Sequence, residues 1–204
     1  MRNLMVAVLL SLTVSGVARA ELSPNPKAAA VQAALRDLWV GHIFWVRNVS
    51  SATLGSPDAA AAKNAEEQVV ANAKQIAGAI QPFYGNAASD KLFGLLAGHW
   101  GAVKAHIAAT SKGDKKAKDA ALANMLANAD EIATFLSGAN PNLPKDTLKS
   151  LLSAHGGHHV SQNEEFKAKK YADEAKTWDA MKNHMYVIAD ALGGAIAKQF
   201  PEKF

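Results

Sequence analysis

Apolar residues recur every three or four positions along most of the chain. The clearest stripe alternates steps of four and three and consists of Val31, Leu35, Leu38, His42, Trp45, Val49 and Ala52. This spacing places the side chains on one face of an α-helix, whereas a half-buried β-strand requires strict alternation. No run of alternating residues is long enough to predict a strand. The pattern therefore predicts an all-α protein.

Glycine, proline and capping residues divide this pattern into six helices. The expected ranges are about 26–54, 56–83, 87–111, 114–137, a fifth beginning near 145, and 171–200. Ser56 is expected as the N-cap of the second helix, with Pro57 at its first position. The fifth and sixth helices could instead form one helix kinked near Gly156 and Gly157.

Short turns between long helices favour antiparallel neighbours. We therefore predict an antiparallel up-and-down bundle of about six helices, with four long helices and two shorter ones as a variant. The sequence shows no convincing internal repeat. Alanine, a strong helix former, makes up about a fifth of the chain, which agrees with this fold.

The first twenty residues have the pattern of a secretory signal peptide. Arg2 precedes an apolar run, and Ala18, Arg19 and Ala20 form a small-residue cleavage site. The mature chain, residues 21–204, is expected to form a single helical-bundle domain that is periplasmic or secreted. No later stretch is apolar enough to span a bilayer, so no stable membrane insertion is expected after cleavage.

Charge and cysteine content exclude several classes of function. The formal net charge is +4, and removing Arg2 and Arg19 lowers it to +2, too small an excess to indicate a nucleic-acid partner. The chain contains no cysteine. Disulfides, thiolate metal sites and a cysteine nucleophile are therefore excluded, and any metal must be held by nitrogen and oxygen ligands.

Three histidines occupy positions that a helical bundle normally fills with leucine. His42, His99 and His184 each lie in the apolar stripe of a different predicted helix. None has an acid or amide three or four residues away on its own helix. A buried imidazole without a partner costs free energy, so the partners must come from other helices, from one another or from a ligand.

The predicted helices place these imidazoles at similar heights. With a rise of ~1.5 Å per residue and alternating helix directions, His42, His99, His155 and His184 fall in one slab at mid-height. Glu66, on the second helix, reaches the same level. His155 and His159 are four residues apart, the spacing that lets two imidazoles chelate one ion from a single helix face.

Ring nitrogens that converge from separate helices are a common way for bundles to hold a metal. Imidazole suits Zn, Cu, Ni and Fe, so the sequence predicts a transition-metal site of His42, His99, His155, His159 and His184, with Glu66 as an acidic ligand and Asn128 behind the ligands. Binding should weaken below about pH 6.5, where free imidazole is protonated. His106 is expected to be solvated near a bundle end, and His158 to be an exposed polar residue.

Two alternatives remain open from the residues alone. The histidines could bind one another in a ligand-free structural or interaction protein of the cell envelope, or they could hold b-type haem. No zinc-protease helix, nucleophile elbow or phosphate-binding loop is present in the sequence. The sequence therefore favours a binding role over an enzymatic one and assigns no catalytic residue.

Three segments carry a resemblance to a known group of proteins. They are Leu38-Trp39-x-x-His42-x-x-Trp45-x-Arg47-Asn48, Asn128-Ala129-Asp130-Glu131-Ile132 and the closing Gln199-Phe200-Pro201. With these segments the mature chain resembles exported bacterial helical-bundle proteins that have no secure activity. The resemblance implies export and a helical fold, and it implies no chemistry.

Overall fold

The computed structural model describes residues 22–204, which form six α-helices and no strand. The helices are α1 (Pro26–Ser50), α2 (Ala59–Ala79), α3 (Gln81–Lys112), α4 (Lys115–Ala139), α5 (Lys145–Lys167) and α6 (Tyr171–Gln199). A π-helical turn (Ser51–Gly55) continues α1, and a 3-10 turn (Pro201–Lys203) follows α6. The all-α prediction is confirmed. The proposed signal peptide, residues 1–20, lies outside the described residues.

The helices pack as a closed ring around a common axis. Each helix contacts the next one in the chain, and α6 returns to contact α1. The helices α1, α3 and α5 run in the same direction, because each is separated from the next by one antiparallel helix. Helix α5 also contacts both α1 and α3, so these three helices turn one face toward the centre of the bundle.

Several helix ends differ from the sequence-based expectation. Asp58, rather than Ser56, caps α2, and its carboxylate accepts hydrogen bonds from the amides of Ala60 and Ala61. The helices α5 and α6 are separate, because the chain turns at residues 168–170 with Lys169 at a φ of 57°. Gly156 and Gly157 lie within a continuous α5 and form no kink.

The structure contains an internal repeat that the sequence analysis missed. The three hairpins α1–α2, α3–α4 and α5–α6 share one hydrogen bond, in which the second helix donates a side-chain N–H to a leucine carbonyl of the first. The three bonds are Asn72 Nδ2 to Leu38 O at 3.0 Å, Asn128 Nδ2 to Leu95 O at 3.1 Å, and His184 Nε2 to Leu151 O at 2.8 Å. They join residues separated by 34, 33 and 33 positions, so the hairpins are related by a pseudo-three-fold axis.

The shared bond holds the paired helices close together in the first two hairpins. A Cβ atom added at Gly41 or Gly98 would lie 3.1 Å from the Nδ2 atom of Asn72 or Asn128. Glycine at these positions therefore lets each amide reach its leucine carbonyl. In the third hairpin the longer imidazole of His184 reaches the same carbonyl, and the position equivalent to the glycines is Ala154.

Two apolar clusters make up the core on either side of the bundle's centre. The larger is built from all six helices and includes Leu35, Leu92 and Leu148, the residues one turn before the three hydrogen-bonded leucines. The smaller one packs around Val46, Val103 and neighbours near the π-helical turn. Of the helices in the described range, none combines the length and apolarity that a bilayer crossing demands.

Candidate metal centre

Four buried histidines meet where the two apolar clusters adjoin. His42 comes from α1, His99 from α3, and His155 and His159 from α5. One ring nitrogen from each lies within 4.8 Å of the corresponding nitrogen of every other. The six pairs of ring centroids are 4.5–5.9 Å apart. We refer to these four residues as the histidine cluster.

The pseudo-three-fold repeat explains why three of these residues meet. His42, His99 and His155 each lie one helical turn after the leucine whose carbonyl is bonded by the partner helix. Equivalent side chains on α1, α3 and α5 therefore point at the axis at the same height. His159 lies one further turn along α5, on the same face as His155.

Several polar atoms of the cluster have no hydrogen-bond partner. His155 and His159 approach each other through their Nε2 atoms at 3.1 Å. In contrast, His42 Nε2, His99 Nε2 and His155 Nδ1 are buried and unpartnered. Leaving a buried polar atom unsatisfied costs ~1–3 kcal/mol. The unpartnered nitrogens belong to a group of four histidines that could hold a metal ion.

Burial keeps the cluster in the neutral form that binds metals. It lowers the pKa of His42 to about 3, with a further contribution from His99, and it lowers the pKa of His99 to about 4. Burial, followed by repulsion from the neighbouring imidazoles, also lowers the pKa values of His155 and His159 well below 6.5. In the folded chain these imidazoles therefore stay neutral at a lower pH than the 6.5 expected from the sequence.

The cluster contains no acidic group within the described part of the chain. Burial alone lowers the pKa of His99, and the only charged groups that shift the pKa values of the other three are histidines. An ion held here would be ligated by nitrogen alone. This donor set matches the softer first-row metals rather than Mg²⁺ or Ca²⁺, which require oxygen ligands.

The structure brings together four of the six predicted ligands and leaves His184 and Glu66 outside the cluster. His184 is partly buried, and its Nε2–H donates to the carbonyl of Leu151. It performs the role that Asn72 and Asn128 perform in the other hairpins. Glu66 forms an ion pair with Lys104, and its side chain is 34% exposed. Asn128 is bonded to Leu95 O rather than to a histidine of the cluster.

Two other histidines differ from their expected surroundings. His106 is 2% exposed rather than solvated, and its Nδ1 accepts a hydrogen bond from Asn163 Nδ2 at 3.0 Å. His158 is half-buried, and its ring lies 5.6 Å from that of His184. His158 is therefore not a freely exposed polar residue.

Sequence reasoning also missed an ion pair between the partly exposed Arg47 and the buried Glu174, on the π-turn side of the cluster. Arg47 donates two hydrogen bonds to Glu174, at 2.6 and 2.5 Å, and Gln162 Nε2 donates a third at 2.9 Å. The carboxylate of Glu174 holds the pKa of Arg47 above its usual value. The sequence offers no local signal of this ion pair because the two residues are 127 positions apart.

The tryptophans that flank His42 in sequence have different surroundings. Trp39 is 5% exposed and meets the His42 ring edge-on, with centroids 6.1 Å apart. Trp45 lies against Phe44 and packs at the border of the smaller apolar cluster. Only Trp39 therefore shields the histidine cluster directly.

Comparisons with known proteins identify no relative of this chain. No protein-family model, no curated protein and no solved structure matches it. The resemblance to exported bacterial helical-bundle proteins therefore stays a prediction. The chain is an all-α protein with a buried four-histidine group that could hold a metal ion.

Proposed function

We propose that this protein binds one transition-metal ion, Zn, Cu, Ni or Fe, through His42, His99, His155 and His159. The observation that carries the proposal is that four buried histidines each bring one ring nitrogen within 4.8 Å of the others, in a cluster where three ring nitrogens have no hydrogen-bond partner. A tetrahedral ion lies about 2.0–2.1 Å from each imidazole nitrogen, which sets those nitrogens roughly 3.4 Å apart. The ring nitrogens of the cluster, which lie within 4.8 Å of one another, exceed this spacing by at most about 1.4 Å.

The arrangement supports holding an ion rather than using it in catalysis. Four protein ligands complete a tetrahedral shell, whereas catalytic zinc sites keep one position for water or substrate. No carboxylate of the described residues stands beside the cluster as a general base. We therefore propose a binding role, located outside the cytoplasm as the signal-peptide pattern of residues 1–20 implies.

The geometry does not favour the haem alternative. A haem held by two imidazoles needs a flat slot between them that is wide enough for the porphyrin ring. Here all four rings contact one another, with centroids no more than 5.9 Å apart. The ligand-free structural protein remains the competing hypothesis, and the metal analysis below decides between the two.

The direct test is the metal content and affinity of purified protein. We expect one ion per chain in the wild type and an affinity reduced by more than ~100-fold in His159→Val, since even groups behind the ligands are worth 10–100-fold. Valine is well suited to this position, because Val46 and Val103 occupy it in the other two hairpins. Bound metal should also raise the melting temperature of the wild type, because it binds only the folded chain.

Two control variants separate ligand loss from general damage. His184→Asn preserves the hydrogen bond to Leu151 with the residue that the other hairpins use, and Glu66→Gln removes an acid at the surface. Both should retain one ion per chain. Equal metal content in the wild type and in the His42→Leu/His159→Val double variant would refute the proposal and support the ligand-free alternative. N-terminal sequencing of the native protein tests export, with Glu21 expected as the first residue.

A further inference from the structure

The side chains of the histidine cluster bring no charge of their own to a bound ion. An imidazole binds a metal through the lone pair of its neutral form, so each of the four ligands is uncharged in the complex. Within residues 22–204, no aspartate or glutamate belongs to the cluster. The net charge of a site built from these four side chains is therefore the charge of the ion itself.

Acids on the surrounding helices offer no free counter-charge to this site. Glu165 accepts a hydrogen bond from Thr177 Oγ1 at 2.9 Å, and it comes six residues after His159, about 9 Å farther along the helix axis. Three other acids of α2, α5 and α6 are each paired with a lysine or an arginine. These pairs are Glu66–Lys104, Glu164–Lys118 and Glu174–Arg47.

The surroundings of the cluster make a high ionic charge costly. The four histidines are only 1–7% exposed, and apolar clusters pack on both sides of them. The electrostatic cost of moving an ion from water into such an interior rises with the square of its charge. A dication therefore costs about four times as much as a monovalent ion of the same size. An apolar site without a counter-charge favours a single positive charge.

The groups behind the ligands give no compensation at His155. Histidines that bind a metal usually donate their other ring N–H to a carboxylate, a backbone carbonyl or water. His155 faces His159 through Nε2, whereas its Nδ1 is buried and has no hydrogen-bond partner. No acid therefore shares the charge of the ion through this ligand.

The directions from which the ligands approach indicate a tetrahedral ion. His42, His99 and His155 surround the pseudo-three-fold axis at one height, and His159 lies one turn farther along α5. Cu(II) and Ni(II) prefer square-planar or tetragonal sites. Among the metals that imidazole suits, copper alone has a common monovalent state. Cu(I) has a filled d shell, as Zn(II) has, and tetrahedral ligation suits both ions.

We propose that the histidine cluster is a Cu(I) site, in which a monovalent copper ion is favoured over Zn(II), Ni(II) and Fe(II). The ion is bound as Cu(I), so binding involves no electron transfer. This inference rests on the proposed metal binding and concerns only which ion is bound, so the two proposals can fail separately.

The first experiment compares the ions on chelator-treated wild-type protein without oxygen. Cu(I) is supplied as its complex with the coloured chelator bicinchoninate, and Zn(II) and Ni(II) are titrated separately against a coloured chelator of their own. We expect one Cu(I) per chain, bound more tightly than either divalent ion. Excess Zn(II) should not displace the bound Cu(I). Glu66→Gln, which removes an acid outside the cluster, should keep the same order of affinities.

The second experiment adds the missing counter-charge. Val103 lies one turn after His99 and helical side chains lean toward the N-terminus, so the carboxylate of Val103→Glu points back to the cluster. A dication gains one more unit of Coulomb attraction than Cu(I) does. At about 6 Å and an effective dielectric constant of about 20, the ratio of Cu(I) to Zn(II) affinity should fall by about 100-fold. Val103→Gln has the same length without the charge and should keep the wild-type ratio.

Each outcome decides one of the two proposals. If none of the ions binds to the wild type, the proposed function fails. If Zn(II) or Ni(II) binds one per chain more tightly than Cu(I), the proposed function stands and the Cu(I) assignment is refuted. An equal affinity ratio in Val103→Glu and Val103→Gln would also refute it, because charge would then not set the preference. If Val103→Glu does not fold, Val46→Glu and Val46→Gln provide the same comparison at the equivalent position of α1.

Discussion

Acidification should destabilise the metal-free protein, and the structure gives the size of the effect. Burial holds the pKa of His42 at about 3 and that of His99 at about 4 in the folded chain. In the unfolded chain both return to about 6.5. Below pH 6.5 the unfolded chain therefore takes up protons that the folded chain refuses, so stability is complete above this pH and is lost as the pH falls.

The loss can be worked out at pH 5.5. Each histidine that stays neutral in the folded chain and has a pKa of about 6.5 in the unfolded chain lowers the free energy of unfolding by about 1.4 kcal/mol at this pH. His42 and His99 together cost about 3 kcal/mol, and His155 and His159 act in the same direction. Domains are stable by only ~5–15 kcal/mol. Three kcal/mol corresponds to a fall in melting temperature of roughly 6–12 °C for a chain of this size.

The assay is thermal unfolding of chelator-treated protein, followed by far-UV circular dichroism at pH 7.5 and 5.5. The control is the His42→Leu/His99→Leu double variant, which cannot take up these two protons. We expect its melting temperature to change less with pH than that of the wild type, whatever its absolute stability. Two results would show that these histidines are not buried as neutral groups. One is a wild-type melting temperature that differs by less than about 2 °C between pH 7.5 and 5.5. The other is a double variant whose melting temperature falls as much as that of the wild type.

Two further predictions concern the residues that support the cluster. Arg47→Ala should lower the free energy of urea unfolding by ~3–5 kcal/mol, because it leaves the Glu174 carboxylate, which is 2% exposed, without its cation. Arg47→Ala/Glu174→Gln should recover part of this loss. A double variant that is no more stable than the single one would contradict the argument. Gly98→Ala should destabilise by ~1–2 kcal/mol because its Cβ would press on the amide of Asn128. Gly101→Ala, on the same helix with no atom within 4 Å of the new Cβ, should instead stabilise by up to ~1 kcal/mol, so equal effects of the two substitutions would argue against the close contact.

The helical fold could be predicted from the sequence because the apolar stripes and breakers are local signals. His42, His99 and His155 could be predicted as a group because they lie in such stripes at matching heights. His159 followed from its spacing to His155. These inferences need only the rise and periodicity of a helix.

The position of His184 could not be predicted in the same way. It lies at the same height as the cluster, but it belongs to an outer helix and its ring turns to the carbonyl of Leu151. Which of two neighbouring faces of a helix points at the axis depends on packing between helices. The repeat would have revealed this role, because the segments 70–77 and 126–133 read VANAKQIA and LANADEIA, and His184 aligns with their asparagines.

Glu66 illustrates a second limit. It was expected at the height of the cluster, but its carboxylate forms an ion pair with Lys104 and is partly exposed. A long, charged side chain on an outer helix can reach solvent at little free-energy cost. The same carboxylate could enter the apolar core only if a cation were already bound there. Height along the bundle is therefore a weaker guide for acids than for histidines.

The three hairpins are linked in one chain, and this linkage affects how many histidine nitrogens can surround the pseudo-three-fold axis. An assembly of three identical hairpins would supply ligands only in multiples of three, because every substitution would appear in each copy. Covalent linkage lets one hairpin change alone, as α5 does at His159, where α1 and α3 keep Val46 and Val103. Tandem fusion thus permits a tetrahedral set of donors inside a trigonal scaffold, which a homotrimer could not provide.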